Sequence, residues 1–440
     1  MYKCLSLSLL SLSLFATPLT ESLNETSMTM FYLYGQVGYN RMYSPFAVNS
    51  ALLALYCGAE GESAENLSSL YSLKIPQEMI PTVYNELYHP LERSIFFINS
   101  FWIHKDTPIR TKYQNLLSRY FNTSITGVNT LNPPQVTRNI NTFALKKLPS
   151  QMQPFVNVGA SFSLLSVNAM SYSLKWQNPF LTKYSTHKVF YPKSGENPTT
   201  TRMMSQLGRF HYYEDDSFQV VAIPLEKKEL NHRLQFLVYL PKPHISDEPF
   251  EYAYNKLTHC LKIPSLLKPA DLEIHLPSFE FQMNASLAST FSSLPIQNEL
   301  TPEANFSLIS GKSRLYLSDM ISSTYLSVNE FGIGVIAGSD EESLEAMLHI
   351  ESKKRSTLFN ANRPFMYMIY DPENELILTL GVYASPMIKA PSPPPPIKQK
   401  IVPPPKAPNP PPANQPEPAP QPYPKREGSP NPDDDLSKDS

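Results

Sequence analysis

The sequence predicts an α+β protein, because helix-like and strand-like patterns occupy different parts of the chain. Helical periodicity dominates up to about residue 150, and short runs of β-branched and aromatic residues dominate after it. Strands and amphipathic helices do not alternate regularly, so a parallel α/β sheet is not expected. A chain of 440 residues has room for one large domain or two medium ones.

The expected helices are marked by residues that cap helices or stop them. Ser44 and Pro45 begin a helix, because serine caps the first turn and proline is compatible with it. Gly58 and Gly61 end that helix, and helical periodicity resumes at Ser63. The other expected helices are Thr29–Val37, Lys112–Tyr120 and Pro134–Leu148.

The strands are predicted from runs rich in β-branched and aromatic residues that end at turn-forming residues. They are, in chain order, Phe162–Met170, Phe218–Pro224, Leu234–Pro241, Leu272–Phe281, Leu315–Met320, Thr324–Glu330, Phe365–Tyr370 and Ile377–Tyr383. All of them follow the helical region, which is why we predict segregated elements.

The first residues predict a secretory signal peptide. Lys3 provides a positive charge, Leu5–Phe15 is apolar, and Ala16 is a small residue that suits cleavage. The signal is therefore assigned to residues 1–16, and the alternative is a buried N-terminal helix. The apolar stretch is shorter than the roughly 20 residues that a membrane span needs, and no other stretch provides them.

The last residues predict a disordered tail over 390–440. From Pro391 to Ser440, 19 of 50 residues are proline, and such a composition cannot bury apolar area. The tail is either a solvated spacer or a ligand for a module that recognises polyproline II helices in an aromatic groove. The folded domain is therefore expected to span residues 20–389.

Composition and motifs exclude several function classes. The net charge of −2 does not favour nucleic acid as a partner, and Cys57 and Cys260 are expected as core thiols. The motifs G-x-S-x-G, H-E-x-x-H, C-x-x-C and the P-loop are absent, so neither an enzyme nor a bound metal or cofactor is expected. Asp215–Asp216 after Glu214 could form a carboxylate pair, but an exposed turn is the favoured interpretation.

The stretch Val328–Phe365 is unusual, because it connects two expected strands through nearly thirty residues. Compact domains rarely contain so long a connection unless it is functional or disordered. Every second residue from Ile333 to Ala337 is apolar, a period of two that is typical of a strand. The connection therefore contains a strand-like segment that lacks an evident partner.

A series of short motifs runs through the body of the chain. They are Ser44–Phe46 with Gly58–Leu67, Asn99–Trp102, Val167–Met170, Lys175–Phe180, Leu276–Phe279, Phe359–Phe365 and Leu380–Val382. In this order and spacing they resemble the serpin family, over about Thr29–Pro386. The resemblance implies a serpin fold of the α+β class, with three β-sheets, eight to nine helices and an exposed reactive-centre loop.

The resemblance also implies a mechanism. In serpins a protease cleaves the reactive-centre loop, and the N-terminal half of the loop inserts into the central sheet as a new strand. Counting fourteen residues on from Gly332 places the reactive bond between Ala346 and Met347, and Leu348 is a further candidate. Alanine or methionine would suit an elastase- or cathepsin G-like protease, and leucine a chymotrypsin-like one. The expected loop hinge consists of Glu330, Gly332, Ile333, Gly334, Val335, Ile336, Ala337, Gly338 and Ser339.

This chain departs from the family at several matching positions. The expected breach and shutter residues of the central sheet are Trp176, Asn168 and Ser322. Ser322 stands where the family has a sheet-opening histidine, and Ala47 replaces a helix serine. Ser278 stands where the family has the lysine that pairs with the loop-start glutamate, so Glu330 is expected to lack that partner.

Two functions remain open. The first is a secreted suicide-substrate inhibitor of a serine-type or cysteine protease, and the small or apolar residues from Ile333 to Ser339 favour it. The second is a non-inhibitory serpin-fold protein that acts as a binding or surface module. Glu341 favours the second, because it would point inward on insertion and a buried unpaired carboxylate is strongly unfavourable.

Overall fold

The computed structural model describes residues 2–35, 39–192, 196–226, 233–245, 249–311, 314–335 and 356–386. Within them the helices are α1 Tyr2–Tyr34, α2 Pro45–Tyr56, α3 Gly61–Leu70, α4 Ile80–Tyr88, α5 Thr111–Tyr120, α6 Pro133–Leu145, α7 Pro249–Asn255, α8 Leu257–Leu266 and α9 Ala288–Phe291. The first strands are β1 Arg41–Tyr43, β2 Ile95–His104, β3 Thr123–Val128, β4 Leu164–Tyr172, β5 Leu174–Lys175, β6 Thr186–Phe190, β7 Thr199–Glu214 and β8 Phe218–Pro224. The remaining strands are β9 Gln235–Pro241, β10 Lys268–Pro277, β11 Phe279–Ser286, β12 Leu317–Asn329, β13 Gly332–Ile333, β14 Thr357–Asn360, β15 Phe365–Asp371 and β16 Leu376–Tyr383. Six of these nine helices end by Leu145, which confirms the α+β prediction.

The helix boundaries follow the end signals in the sequence. Ser44 caps α2, because its side-chain oxygen accepts a hydrogen bond of 3.1 Å from the backbone N–H of Ala47. Pro45 occupies the first turn of α2, where a missing N–H costs nothing. The expected helix Thr29–Val37 is confirmed as far as Tyr34, the last residue of the longer α1. The expected helices at Lys112 and Pro134 are confirmed as α5 and α6.

The described strands form two sheets. The seven-stranded sheet has the order β3-β2-β4-β12-β13-β5, and β11 also pairs with β12. The nine-stranded sheet has the order β1-β16-β15-β9-β8-β7-β10-β14, and β6 also pairs with β7. Residues 203–212 of β7 pair with β10, and residues 211–214 pair with β8. The sequence analysis missed strand β7. Because β7 pairs with both β8 and β10, two of the three expected sheets form one continuous sheet.

One expected strand is two strands in the structure. The prediction Leu272–Phe281 was wrong, because β10 lies in the nine-stranded sheet and β11 in the seven-stranded sheet. The chain changes sheets at Ser278, and Pro277 is the last residue of β10. A proline lacks the N–H that a ladder needs and is therefore tolerated at such a strand end.

Two expected strands are one strand in the structure. Leu315–Met320 and Thr324–Glu330 both overlap with β12, which runs from Leu317 to Asn329 and has one register irregularity against β4, between Leu317 and Asp319. The polar residues Ser322 and Ser323 do not break it, because they pair with β4 on one side and with β11 on the other. Tertiary pairing thus overrides their weak strand propensity.

The seven-stranded sheet is covered on both faces. On one face a large hydrophobic cluster includes α2 and the nine-stranded sheet, and every residue of α2 is buried. On the other face α6 and the chain after it pack against β2, β4 and β12. All nine residues of β4 are buried as a result. Among the described residues, no helix combines the length and apolar character needed to cross a membrane.

Candidate functional site

The ladder between β4 and β12, here called the seam, lies in the middle of the seven-stranded sheet. The two strands run parallel, with Leu164 opposite Leu317 and Met170 opposite Thr324. The neighbouring ladders β2–β4 and β11–β12 are antiparallel. Parallel pairing is slightly less stable per residue than antiparallel pairing. The seam is therefore the ladder with the less stable type of pairing among these three.

Strand β13 lies at the upper end of the seam, defined here as the end where β12 finishes at Asn329. Gly332 and Ile333 pair antiparallel with residues 328–329 of β12 on one side and with residues 174–175 of β5 on the other. Strand β5 continues the line of β4 after a single intervening residue. The first hinge residues thus already form a short strand between the two sides of the seam.

Two hinge glycines occupy positions that no other residue fits without movement. A Cβ atom on Gly334 would lie 1.9 Å from the carbonyl oxygen of Tyr172, and Gly334 has a φ of +67°. A Cβ atom on Gly332 would lie 2.0 Å from the carbonyl oxygen of Leu174. Both contacts are with backbone, which cannot rotate away. Ile333 between them is fully buried.

Asn329 holds the turn between β12 and β13. Its side-chain oxygen accepts hydrogen bonds from the N–H groups of Phe331 at 2.9 Å and Gly332 at 3.3 Å. Its side-chain nitrogen donates to the carbonyl oxygen of Val335 at 2.7 Å. The sequence analysis did not single out Asn329, although asparagine is a recognisable turn former.

Trp176 lies directly beneath the start of the loop. Its indole Nε1 donates a hydrogen bond of 2.7 Å to the carbonyl oxygen of Asn329. Its backbone N–H donates a hydrogen bond of 3.0 Å to the carbonyl oxygen of Phe331. The ring makes edge contacts with Phe180 and Phe236 and is almost completely buried. Trp176 therefore connects the loop start to the hydrophobic core.

Glu330 lacks the lysine partner, as expected, but an arginine that the sequence analysis did not foresee pairs with it. Arg202 of β7 places both Nε and Nη2 at 2.7 Å from Glu330 Oε1. Ser278, where the lysine was expected, donates its backbone N–H to the carbonyl oxygen of Arg202 at 2.9 Å. Arg202 thus reaches Glu330 from β7, next to Ser278, the position at which the family has its lysine. Burial opposes the charge of Glu330, but its hydrogen bonds and the Arg202 charge outweigh burial and lower the pKa of the carboxyl.

The middle of the seam contains a row of polar residues. Asn99 of β2, Asn168 of β4 and Ser322 of β12 stand opposite one another and are buried. Directly opposed residues share one face of a sheet. On that face Ser50 of α2 accepts hydrogen bonds from the Asn99 side chain at 3.3 Å and from the Tyr84 hydroxyl at 2.7 Å.

All three members of this row have a buried side-chain atom without a hydrogen-bond partner among the described residues, and for Asn99 it is Oδ1. Within the described residues, neither side-chain polar atom of Asn168 nor the hydroxyl of Ser322 has a hydrogen-bond partner. A buried polar group without a partner costs about 1–3 kcal/mol. Asn168 and Ser322 are paired directly across the seam, and their role in opening the sheet stays a prediction.

The expected reactive bond lies outside the described residues. This applies to Ala346, Met347 and Leu348, and to the hinge residues Ile336, Ala337, Gly338 and Ser339. It also applies to Glu341 and to the proline-rich tail.

The carboxylate and thiol groups that the sequence analysis considered have structural positions. Asp215 accepts hydrogen bonds from the N–H groups of Ser217 and Phe218 at 2.7 and 2.8 Å, so it forms a turn as expected. Cys57 and Cys260 are buried and free, which confirms core thiols, and burial raises the pKa of the Cys260 thiol to about 12. Among the described residues no group of histidine, cysteine and acidic side chains could hold a metal ion.

A family profile described as serpin (serine protease inhibitor) matches residues 21–386. An uncharacterized serpin-like protein of Thermococcus kodakarensis is 25% identical over 382 residues, which cover 84% of this chain and 86% of the relative. Serpin B10 of Homo sapiens is 24% identical over 412 residues, which cover 86% of this chain and 98% of the relative.

Solved structures show the same fold at lower sequence identity. Mouse protein-Z dependent protease inhibitor superposes with a TM-score of 0.72 at 20% identity, covering 85% of this chain and 100% of its own. Human thyroxine-binding globulin, complexed with thyroine, superposes with a TM-score of 0.73 at 19% identity, covering 84% of this chain and 100% of its own. One neighbour is named as an inhibitor and the other as a binding globulin, so the fold alone does not choose between these functions.

Proposed function

Because this chain belongs to the serpin family, we propose that it is a suicide-substrate inhibitor of serine-type endopeptidases. The serine hydroxyl of the target attacks the carbonyl carbon of Ala346, and the peptide bond to Met347 breaks with release of its amine. The remaining ester links the target to the cut loop. The loop then inserts into the seam and carries the acylated protease with it before water cleaves the ester.

The observation that carries this proposal is the position of β13. It lies between β12 and the continuation of β4, and it is antiparallel to both of its neighbours. Extension of β13 along the seam would replace one parallel ladder by two antiparallel ladders, which adds hydrogen bonds and improves their geometry. The free energy of that exchange is what would drive insertion after cleavage.

The side chains beyond β13 support the same direction. Ile333 is fully buried, and Val335 is partly buried. With a period of two, Ala337 and Ser339 would follow them on the same face, and both are small. Glu341 comes next, and it would have to be protonated or paired if insertion proceeds that far.

The proposal is tested by mixing the full chain with elastase-, cathepsin G- and chymotrypsin-like proteases and separating the products on a denaturing gel. We expect a covalent complex with at least one of them and a cut mapped by mass spectrometry at residues 346–348. Ala346→Arg should move complex formation to trypsin-like enzymes. Cleavage without any covalent complex would reject the inhibitor proposal.

A second candidate is a non-inhibitory binding or surface module. The observation in its favour is Gly334, whose φ of +67° is not the extended conformation of a strand residue. Insertion would require this residue to return to an extended conformation. Melting of the protein after loop cleavage separates the two candidates, because insertion raises the melting temperature and a static loop leaves it unchanged.

We also propose that the protein is secreted or otherwise extracytoplasmic. The support is the signal-like pattern over residues 1–16, ahead of the residues of α1 that pack on the core from Leu19 onward. The serpin domain would then span residues 20–389, and the tail over 390–440 would serve as a spacer or bind a polyproline-recognising module. N-terminal sequencing of the exported protein tests the cleavage after Ala16.

A further inference from the structure

Apolar side chains of α1 and α7 meet at the surface of the protein and form what is here called the aromatic patch, Tyr32, Leu33 and Tyr254. Tyr32 and Leu33, near the end of α1, are 42% and 39% exposed. The Tyr32 ring stacks on that of Tyr254, with ring centroids 4.3 Å apart and an angle of 5° between the planes. Tyr254 is itself only partly buried. Exposed apolar residues that adjoin one another, unlike single scattered ones, mark a binding surface.

The last described residues of the chain are fixed to the segment that follows α1. The side-chain oxygen of Asn40 accepts hydrogen bonds from the N–H groups of Ala384 at 2.7 Å and Ser385 at 3.0 Å. Its side-chain nitrogen donates to the carbonyl oxygen of Ser385 at 2.7 Å. The chain therefore leaves the fold beside Asn40, whose neighbour Tyr39 is a further exposed aromatic residue.

Ring contacts connect this exit point to the aromatic patch. The guanidinium carbon of Arg41, the residue after Asn40, lies 5.3 Å from the centroid of the Phe250 ring. The Phe250 ring in turn lies 6.3 Å from the ring of Tyr254, measured between centroids. The exit point and the patch are thus separated by one arginine side chain and two ring contacts.

The first proline run after the exit point, Pro391–Pro395, has the composition that binds to aromatic surfaces. It lies outside the described residues. It begins six residues after Ser385 and ends ten residues after it, so its reach along an extended chain is about 20–33 Å. Proline runs favour the polyproline II helix, and aromatic-lined surfaces bind this helix with little loss of conformational entropy. The run is therefore long enough to reach the patch and suited to it.

The charges beside the patch are opposite to the charge beside the run. Glu251 is exposed three residues before Tyr254, so the two share one face of α7. Glu25 is exposed two helical turns before Tyr32 on α1. Lys389 precedes the proline run by two residues. Opposite charges on facing surfaces favour their association and fix its orientation.

We propose that the aromatic patch binds the proline run Pro391–Pro395 of the same chain, with Lys389 directed at the carboxylates of Glu25 and Glu251. A short tether gives an effective concentration in the millimolar range, so even a site of modest affinity stays occupied. The inference does not depend on inhibitor activity, because the patch lies on α1 and α7 and not on the seam.

The test compares the rates at which trypsin cleaves the full chain at two lysines, with the fragments quantified by mass spectrometry. Lys389 and Lys406 are each followed by Ala-Pro, so the residues after the cut are the same. We expect cleavage after Lys389 to be about ten-fold slower than cleavage after Lys406. Tyr32→Ala should remove most of this protection. Tyr184→Ala is the matched control, because it removes another exposed tyrosine, and it should keep the protection.

The reciprocal variant replaces Pro393, Pro394 and Pro395 by glycine and keeps both lysines. It should lose the same protection, because a glycine run is flexible and does not favour the polyproline II helix. Equal cleavage at the two lysines of the parent would overturn the proposal. Protection that persists in both Tyr32→Ala and the glycine variant would also overturn it, because the folded domain would then shield Lys389 by proximity alone. Protection that rises with protein concentration would assign the patch to the tail of a second copy and reject binding within one chain.

Discussion

The upper end and the middle of the seam are built from the same two strands but are stabilised in opposite ways. At the upper end the polar groups are satisfied: Trp176 bonds to Asn329, and Arg202 bonds to Glu330. In the middle, Asn168 and Ser322 are buried without hydrogen-bond partners among the described residues. The loop start is therefore held firmly, while the ladder below it contains groups that lose little when it separates.

If the loop inserts as proposed, the two regions have separate tasks. A hinge that is to become a strand must stay aligned with the seam, and the contacts at the upper end keep it there. A ladder that is to open must not be over-stabilised, and the unsatisfied polar row in the middle lowers its stability. The predictions below alter one region at a time.

The largest effect is expected for Gly334→Ala at the upper end. The new Cβ would lie 1.9 Å from the Tyr172 carbonyl oxygen, and alanine at a φ of +67° is strained. We expect the free energy of unfolding to fall by about 2–4 kcal/mol, measured by urea denaturation. Gly311→Ala is the control, because its Cβ would meet only the flexible end of Arg110, at 3.0 Å. Equal stability of the two variants would show that β13 does not pack as described.

The next effect concerns the ion pair at the upper end. Arg202→Met leaves Glu330, a residue that is only 6% exposed, without its charged partner. We expect a loss of about 1–3 kcal/mol in the free energy of unfolding. The exposed Arg209→Met on the same strand is the control and should have little effect. The double variant Arg202→Met, Glu330→Gln should recover part of the loss; no recovery would mean that Arg202 acts through packing alone.

The same pair predicts a dependence on pH. The pKa of Glu330 is lowered from its ordinary value of 4.5, so the folded state binds its proton less tightly than the unfolded state. The resulting stabilisation is complete above pH 4.5 and is lost as the pH falls below it. The difference in unfolding free energy between the parent and Arg202→Met should therefore shrink in acid. A constant difference from pH 7 to pH 3 would contradict the pairing.

The parts of the fold that the sequence could predict are those that local signals determine. Local signals identified the Ser44 cap and strand β8 with both of its ends. Each of these depends on residues within a few positions of one another. The fold class followed from their order along the chain.

The features that were missed depend on residues far apart in sequence. Arg202 and Glu330 are separated by 128 residues and meet only because β7 and β12 lie in adjoining sheets. Ser322 and Ser323 continue a strand because of neighbours on β4 and β11, which no local pattern encodes. The change of sheet at Ser278 was missed for the same reason, because it depends on the distant strands with which β10 and β11 pair.

The smallest effect is expected in the middle of the seam, from a matched pair of buried serines. Ser322→Ala removes a hydroxyl without a described partner and should raise the free energy of unfolding by about 0.5–1 kcal/mol. Ser50→Ala removes an acceptor used by Asn99 and Tyr84, so it should lower stability by about 1 kcal/mol. Opposite signs in parallel urea titrations would support the polar row as a weak point. Destabilisation by both variants would mean that the Ser322 hydroxyl is satisfied in solution, for example by a bridging water, and that the middle of the seam is held as firmly as its upper end.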